Sequence, residues 1–176
     1  MLSFISASRV ETIFHATSLA CQQRVTSFPI QSPTNLQYQR KTNTMADINE
    51  FTTAAANGDI TRVKYFLENG INPNGVNKYG RTALQVMKMG CTNLCKLLLE
   101  YKANPNQQDA DGIALIHDLA REGHLDTLIV LVEVGNADIN LKDGKNKRVI
   151  DLAKENNHDD VVKYLSQLNQ ATSVGV

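Results

Sequence analysis

Tryptophan is absent from the 176 residues and only 6% of them are aromatic, so a core must be built mainly from aliphatic side chains. The apolar fraction of 42% is enough for one. Net charge is also missing, because 18 basic residues balance 18 acidic ones. That removes the sequence-independent attraction to phosphate on which nucleic-acid binders rely, and excludes DNA or RNA as the main partner. No stretch approaches the ~20 continuous apolar residues of a membrane span. Cysteine is scarce: Cys21, Cys91 and Cys95 are odd in number and show no paired spacing, which fits a reducing compartment better than a disulfide scaffold. There is no glycine-rich phosphate loop, no paired catalytic carboxylates and no Ser/Cys–His constellation with supporting context, so neither an enzyme nor a cofactor or metal site is expected. What is left is a soluble intracellular protein of one domain with an appended tail.

The charge balance hides an asymmetry. Residues 1–44 carry Arg9, Arg24, Arg40 and Lys41 against Glu11 alone, a net of +3, whereas the remainder carries 14 basic and 17 acidic residues, a net of −3. The leader is polar, is interrupted by Pro29 and Pro33, and lacks the apolar density that offsets chain entropy, which predicts disorder. Its acid-poor, Arg- and Ser-containing character fits a mitochondrial transit peptide. The plainer alternative is that Met45-Ala46-Asp47 is a natural start and the leader an upstream extension.

From Met45 the chain repeats itself. The run Asn74 to Leu84 aligns with Asn106 to Ile116 at an offset of 32, and His117 to His124 aligns with Asp151 to His158 at an offset of 34. Asn72-Pro73-Asn74, Asn104-Pro105-Asn106 and Asp138-Ile139-Asn140 each follow an apolar helical run. In those runs apolar residues recur at helical spacing: Val63 and Leu67, Leu94 and Leu98, Leu128 and Leu131, Val161 and Leu165. Asp59, Thr92 and Asp159 stand where N-caps are wanted, and Thr82 with Gln85 has the form of a capping box. A period near 33 with a turn and two short helices resembles the ankyrin repeat. The expected fold is therefore all-α, a solenoid of four helix pairs at about 46–76, 77–108, 109–142 and 143–168, with a tail over 169–176. Units of this size bury their apolar faces only by stacking, so modest stability and frayed ends are expected.

Two irregularities individualise the series. Gly80 to Gly90 spans ten steps where Gly112 to Gly123 spans eleven, so the first helix of the second unit should shrink to a single turn that displays Met87 and Met89. The fourth unit has Asn146 at a turn position held by glycine elsewhere, and Arg148 and Asp151 in place of Thr and His, which suits a polar terminal cap.

The stunted run Tyr79 to Gly90, the phrase His117-Asp118-Leu119-Ala120-Arg121-Glu122-Gly123, and Asp151-Leu152-Ala153 with His158 to Val161 resemble the ankyrin-repeat inhibitors of cyclin-dependent kinases 4 and 6, in their four-repeat form. The likeness covers about residues 46–168. It implies a monomer of the cytoplasm and nucleus that sets its concave face beside the catalytic cleft of kinase 4 or 6, opposes cyclin D-dependent activation, and arrests the cell cycle in G1. Residue by residue, it implies that Asp118 pairs with a kinase arginine, that Asp109 and Asp126 are further acidic contacts, and that Asn106 is a polar one. It also places Tyr79, Gln85, Met87 and Met89 on a partner-facing segment, with Arg121 alongside. The first unit departs from the family, with Asp59 and Thr61 where short members have basic and acidic contacts. That departure leaves open a generic ankyrin adaptor with some other intracellular partner.

Plainer readings stand beside these. His117 is expected to bond backbone within its turn, and His117 with His124 has no further ligand for zinc. Cys91 and Cys95 read as one semi-exposed and one core thiol. Met87 and Met89 fit repeat-to-repeat packing as well as display. Asp118 and Arg121 could be a solvated charge and a loop brace.

Overall fold

The computed structural model describes residues 43–173. Nearly all of the expected disordered leader, residues 1–44, lies outside the described residues. Among the described residues eight helices follow in sequence: α1 Met45–Asn57, α2 Ile60–Glu68, α3 Ala83–Val86, α4 Thr92–Glu100, α5 Leu115–Glu122, α6 Leu125–Glu133, α7 Val149–Glu155 and α8 Asp159–Ser173. Among the described residues the only strand-like pairing is an isolated antiparallel bridge between Lys142 and Arg148. The expected all-α series of four helix pairs is what forms. Within each unit the two helices pack together; between units α1 meets α3, α5 meets α7, α2 meets α4 and α4 meets α6.

Helices of 4 to 15 residues hold little stability alone, so the stack must supply it. Phe51, Leu84, Leu94, Leu98, Leu115, Ile116, Leu119, Leu128, Leu131 and Leu165 are buried along the whole series. Each aliphatic side chain among them contributes about 1.5–3 kcal/mol of transfer free energy.

Every first helix begins in the same way. The N-cap backbone N–H donates to a side chain three residues on: Thr44 to Asp47 Oδ2 (3.1 Å), Thr82 to Gln85 Oε1 (2.9 Å), Ala114 to His117 Nδ1 (3.1 Å) and Arg148 to Asp151 Oδ2 (3.2 Å). The expected capping box of Thr82 and Gln85 is complete, as is that of Thr44 and Asp47, whereas Ala114 and Arg148 keep only the bond from the N-cap N–H. Among the second helices Asp59 caps α2, accepting from the Arg62 N–H at 2.9 Å. Thr92 does not cap α4: Cys91 is the N-cap residue, and the Thr92 hydroxyl faces that of Thr127 at 3.3 Å. Asp159 lies inside the first turn of α8 rather than before it. That helix runs on to Ser173, past the expected end of the fourth unit.

The turns ahead of α3, α5 and α7 share a second device. Asn77, Asp109 and Asp143 each accept two backbone N–H groups on Oδ1, from residues two and four further on, at 2.9–3.1 Å. The tip of each turn needs a positive φ, provided by Gly80 (74°), Gly112 (72°) and Asn146 (63°). Asparagine tolerates that region better than other side chains, so the fourth unit keeps its turn without glycine.

Candidate functional site

The shortened first helix of the second unit is real. α3 has 4 residues against 8 in α5 and 7 in α7. Arg81, in the turn before it, reaches across to Asp118 on α5, and four charged side chains meet there. Arg81 donates from a terminal guanidinium nitrogen to Asp118 Oδ2 at 2.8 Å, and Arg121 donates to Asp118 Oδ1 at 2.9 Å. The Arg81 Nε lies 3.4 Å from Asp109 Oδ2. The Asp118 side chain is mostly buried, 14% exposed, with one arginine on each of its oxygens. The cluster joins the second and third units and is neutral as a whole. Beside it, a cleft of about 1040 Å³ is lined by Ile113, Arg121, Asp143, Lys147, Leu152 and Glu155 among others. Lys147 holds both oxygens of Glu155, at 2.8 and 2.7 Å.

No local pattern in the sequence marks Arg81 as part of this cluster. Its partners lie 28 and 37 positions along the chain, and periodicity identifies faces without saying which charges meet across a junction. The only available signal was its place next to the turn tip Gly80, with acids one unit on.

The residues singled out in the sequence separate into distinct settings. Tyr79, beside the turn tip, is 74% exposed, with the Lys78 ammonium 4.9 Å from its ring centroid. Met89 and Asp126 are half-buried, the latter in the first turn of α6, where a carboxylate suits the helix dipole. Gln85 and Met87 require correction, since each is only 2% exposed. The Gln85 amide donates to the carbonyls of Gln107 (3.1 Å) and Ile113 (3.0 Å), which makes it a strut to the third unit and no part of a free surface. Met87 packs in the core and is not displayed. Asn106 is likewise engaged: its Oδ1 accepts the Asp138 N–H at 2.9 Å, as Asn74 accepts that of Asn104 at 2.6 Å. Asp109 has one oxygen committed to backbone and the other turned toward Arg81.

His117 is structural, as expected. Its Nδ1 accepts from Ala114 and its Nε2 reaches the Leu141 carbonyl at 3.1 Å. Cys91 corrects the expected semi-exposed thiol, because both it and Cys95 are buried. Burial pushes the Cys95 thiol up to about 12, leaving it without thiolate character near neutrality. Among the described residues no group of three or more His, Cys, Asp or Glu could hold a metal, and no helix is long and apolar enough to cross a membrane.

A family model described as ankyrin repeats (3 copies) matches residues 46–109 and 86–174. A protein of Homo sapiens named cyclin-dependent kinase 4 inhibitor B is 46% identical over 114 residues, which span 64% of this chain and 82% of that one. Cyclin-dependent kinase inhibitor 2A of Monodelphis domestica is 45% identical over 120 residues, or 68% of this chain and 70% of the relative. The human protein of that name is 45% identical over 114 residues, 64% of this chain and 72% of the relative.

Proposed function

The chain belongs to the ankyrin-repeat inhibitors of cyclin-dependent kinases 4 and 6, and we propose that it acts as they do, by binding kinase 4 or 6 through the face made by its turns and first helices. The reading is carried by the 46% identity to the human kinase 4 inhibitor across 82% of that protein's length. The short α3 and the Asp118 carboxylate, held where the second and third units meet, support it. Inhibition of this kind needs no chemistry. An inhibitor that binds one arrangement of the kinase lobes in preference to another shifts the population toward it by its differential affinity. If the favoured arrangement receives cyclin D and ATP poorly, activation is opposed and the cell cycle halts in G1.

Asp118 is the central contact. Arg81 and Arg121 each give it one N–H on a different oxygen, so both oxygens keep a lone pair for a guanidinium of the partner. Tyr79, Met89, Arg121 and Asp126 are secondary contacts, and of these Arg121 touches Asp118. The test is direct binding of the purified full chain, as a monomer, to kinases 4, 6 and 2. Binding to 4 and 6 with little affinity for 2 is expected; equal binding to all three, or to none, overturns the proposal. Asp118→Ala should weaken binding to kinase 4 by ~2–5 kcal/mol, as for loss of one partner of a buried interfacial charge pair. Helicity should be kept, at a cost to folding of about 1–3 kcal/mol, because the lost carboxylate is mostly buried and leaves two part-buried arginines without it. An unchanged dissociation constant would remove Asp118 from the interface.

A further inference from the structure

We infer that Arg81 is a positioning residue that fixes the Asp118 carboxylate for the partner, an assignment that rests on the reading of Asp118 as the central contact. The geometry has three parts. Arg81 leaves the turn of the second unit and spans two aspartates of the third, at 2.8 Å from Asp118 and 3.4 Å from Asp109. Arg121, one turn further along α5, takes the other oxygen of Asp118, so the carboxylate is held from two sides. Both contacts to Asp118 are single bonds to separate oxygens, which fixes the carboxylate plane without closing either oxygen to a further donor.

The stem of Arg81 is held as well. Its backbone N–H donates to Asn77 Oδ1 at 3.1 Å, and its carbonyl accepts the Asn77 N–H at 2.9 Å. The guanidinium therefore projects from a bonded turn, with only 32% of its side chain exposed. From that position one side chain crosses the junction to α5. An ordered carboxylate loses less freedom when a partner engages it, and immobilising one side chain accounts for roughly a threefold to tenfold change in affinity.

Two measurements on the full chain test the assignment. The first concerns the free protein. Three-bond NMR couplings across the Asp118 side chain should report one rotamer in the wild type and averaging in Arg81→Met, which keeps most of the apolar stem. A single unaveraged rotamer in Arg81→Met overturns the assignment, whatever the kinase does. The second is a double-mutant cycle on kinase 4 binding. Arg81→Met should weaken binding roughly threefold to tenfold in the wild type and by less than about twofold on an Asp118→Ala background. Arg81→Lys, a point charge that cannot span both aspartates, should restore part of the loss. An equal loss on both backgrounds would show Arg81 acting on its own account, and tighter binding by Arg81→Met would show it competing with the partner; either overturns the inference. Arg62→Ala, which breaks an exposed pair with Glu50 in the first unit, is the control and should leave affinity unchanged. Should Asp118→Ala bind like the wild type, the contact proposed above fails, while the rotamer measurement still decides whether Arg81 orders Asp118.

Discussion

At the scale of single residues, one position in the turns does the same work with different chemistry. Asn77, Asp109 and Asp143 each close a turn with two backbone N–H groups on one side-chain oxygen, so the geometry suits an amide as well as a carboxylate. Charge is what separates them. Burial pushes the Asp143 carboxyl up, but the N–H groups of Lys147 and Lys145 outweigh it and hold the group below the ordinary aspartate range. A carboxyl depressed in the folded state stabilises the fold above its unfolded value, near 3.9, and that contribution is lost as pH falls through the folded value. Asp143→Asn keeps both bonds and cannot titrate. It should lower stability at pH 7 by about 1 kcal/mol, the difference between charge-assisted and neutral hydrogen bonds. Between pH 7 and about 3 its urea midpoint should fall less steeply than that of the wild type. Parallel curves for the two proteins would remove Asp143 from the acid response.

At the scale of helices, the ends of α2 and α4 invite comparison. Gly70 and Lys102 hold the same place after their helices, with φ of 83° and 67°. Both ends are closed by the same pair of bonds: Gly70 and Lys102 donate to Leu67 and Leu99, and Ile71 and Ala103 to Phe66 and Leu98, at 2.9–3.1 Å. A lysine in the left-handed region costs roughly 1–2 kcal/mol that glycine avoids, partly offset by the greater freedom of unfolded glycine. Lys102→Gly should therefore raise stability by about 1 kcal/mol, read as a higher urea midpoint at unchanged slope; no rise would mean the turn is not strained. Part of the backbone is legible in the sequence. Glycine spacing gave the shortened α3, the Thr82–Gln85 pair its start, and helical spacing the buried leucines. What escaped depended on contacts between units. The capping role of Gln85 does not reveal that its amide continues into the next unit. For Met87 the sequence allows display or packing between repeats, and its burial is the packing outcome. Arg81 and its two aspartates meet only across a junction that no local pattern describes.

At the scale of the whole molecule, stability is shared along a row of units in which each touches only its neighbours, so position in the row decides how far a defect spreads. Leu98 and Leu165 are both buried and chemically identical, yet they sit differently. Leu98 lies on α4, which packs between α2 and α6, whereas Leu165 lies on α8, the last helix of the row. Truncation of either to alanine should cost ~2–5 kcal/mol at its own site. For Leu98→Ala that loss falls on the interfaces joining units one, two and three, so slowly exchanging amides of α4 and α5 should quicken together as the central stack opens as one. For Leu165→Ala the fourth unit can detach while units one to three keep their shared surfaces. Amide exchange followed by mass spectrometry should then show α7 and α8 exposed first, with α4 still protected near its wild-type level. If Leu165→Ala accelerated α4 as much as α8, the four units would be unfolding as a single block, and the neighbour-by-neighbour account of this stack would be wrong.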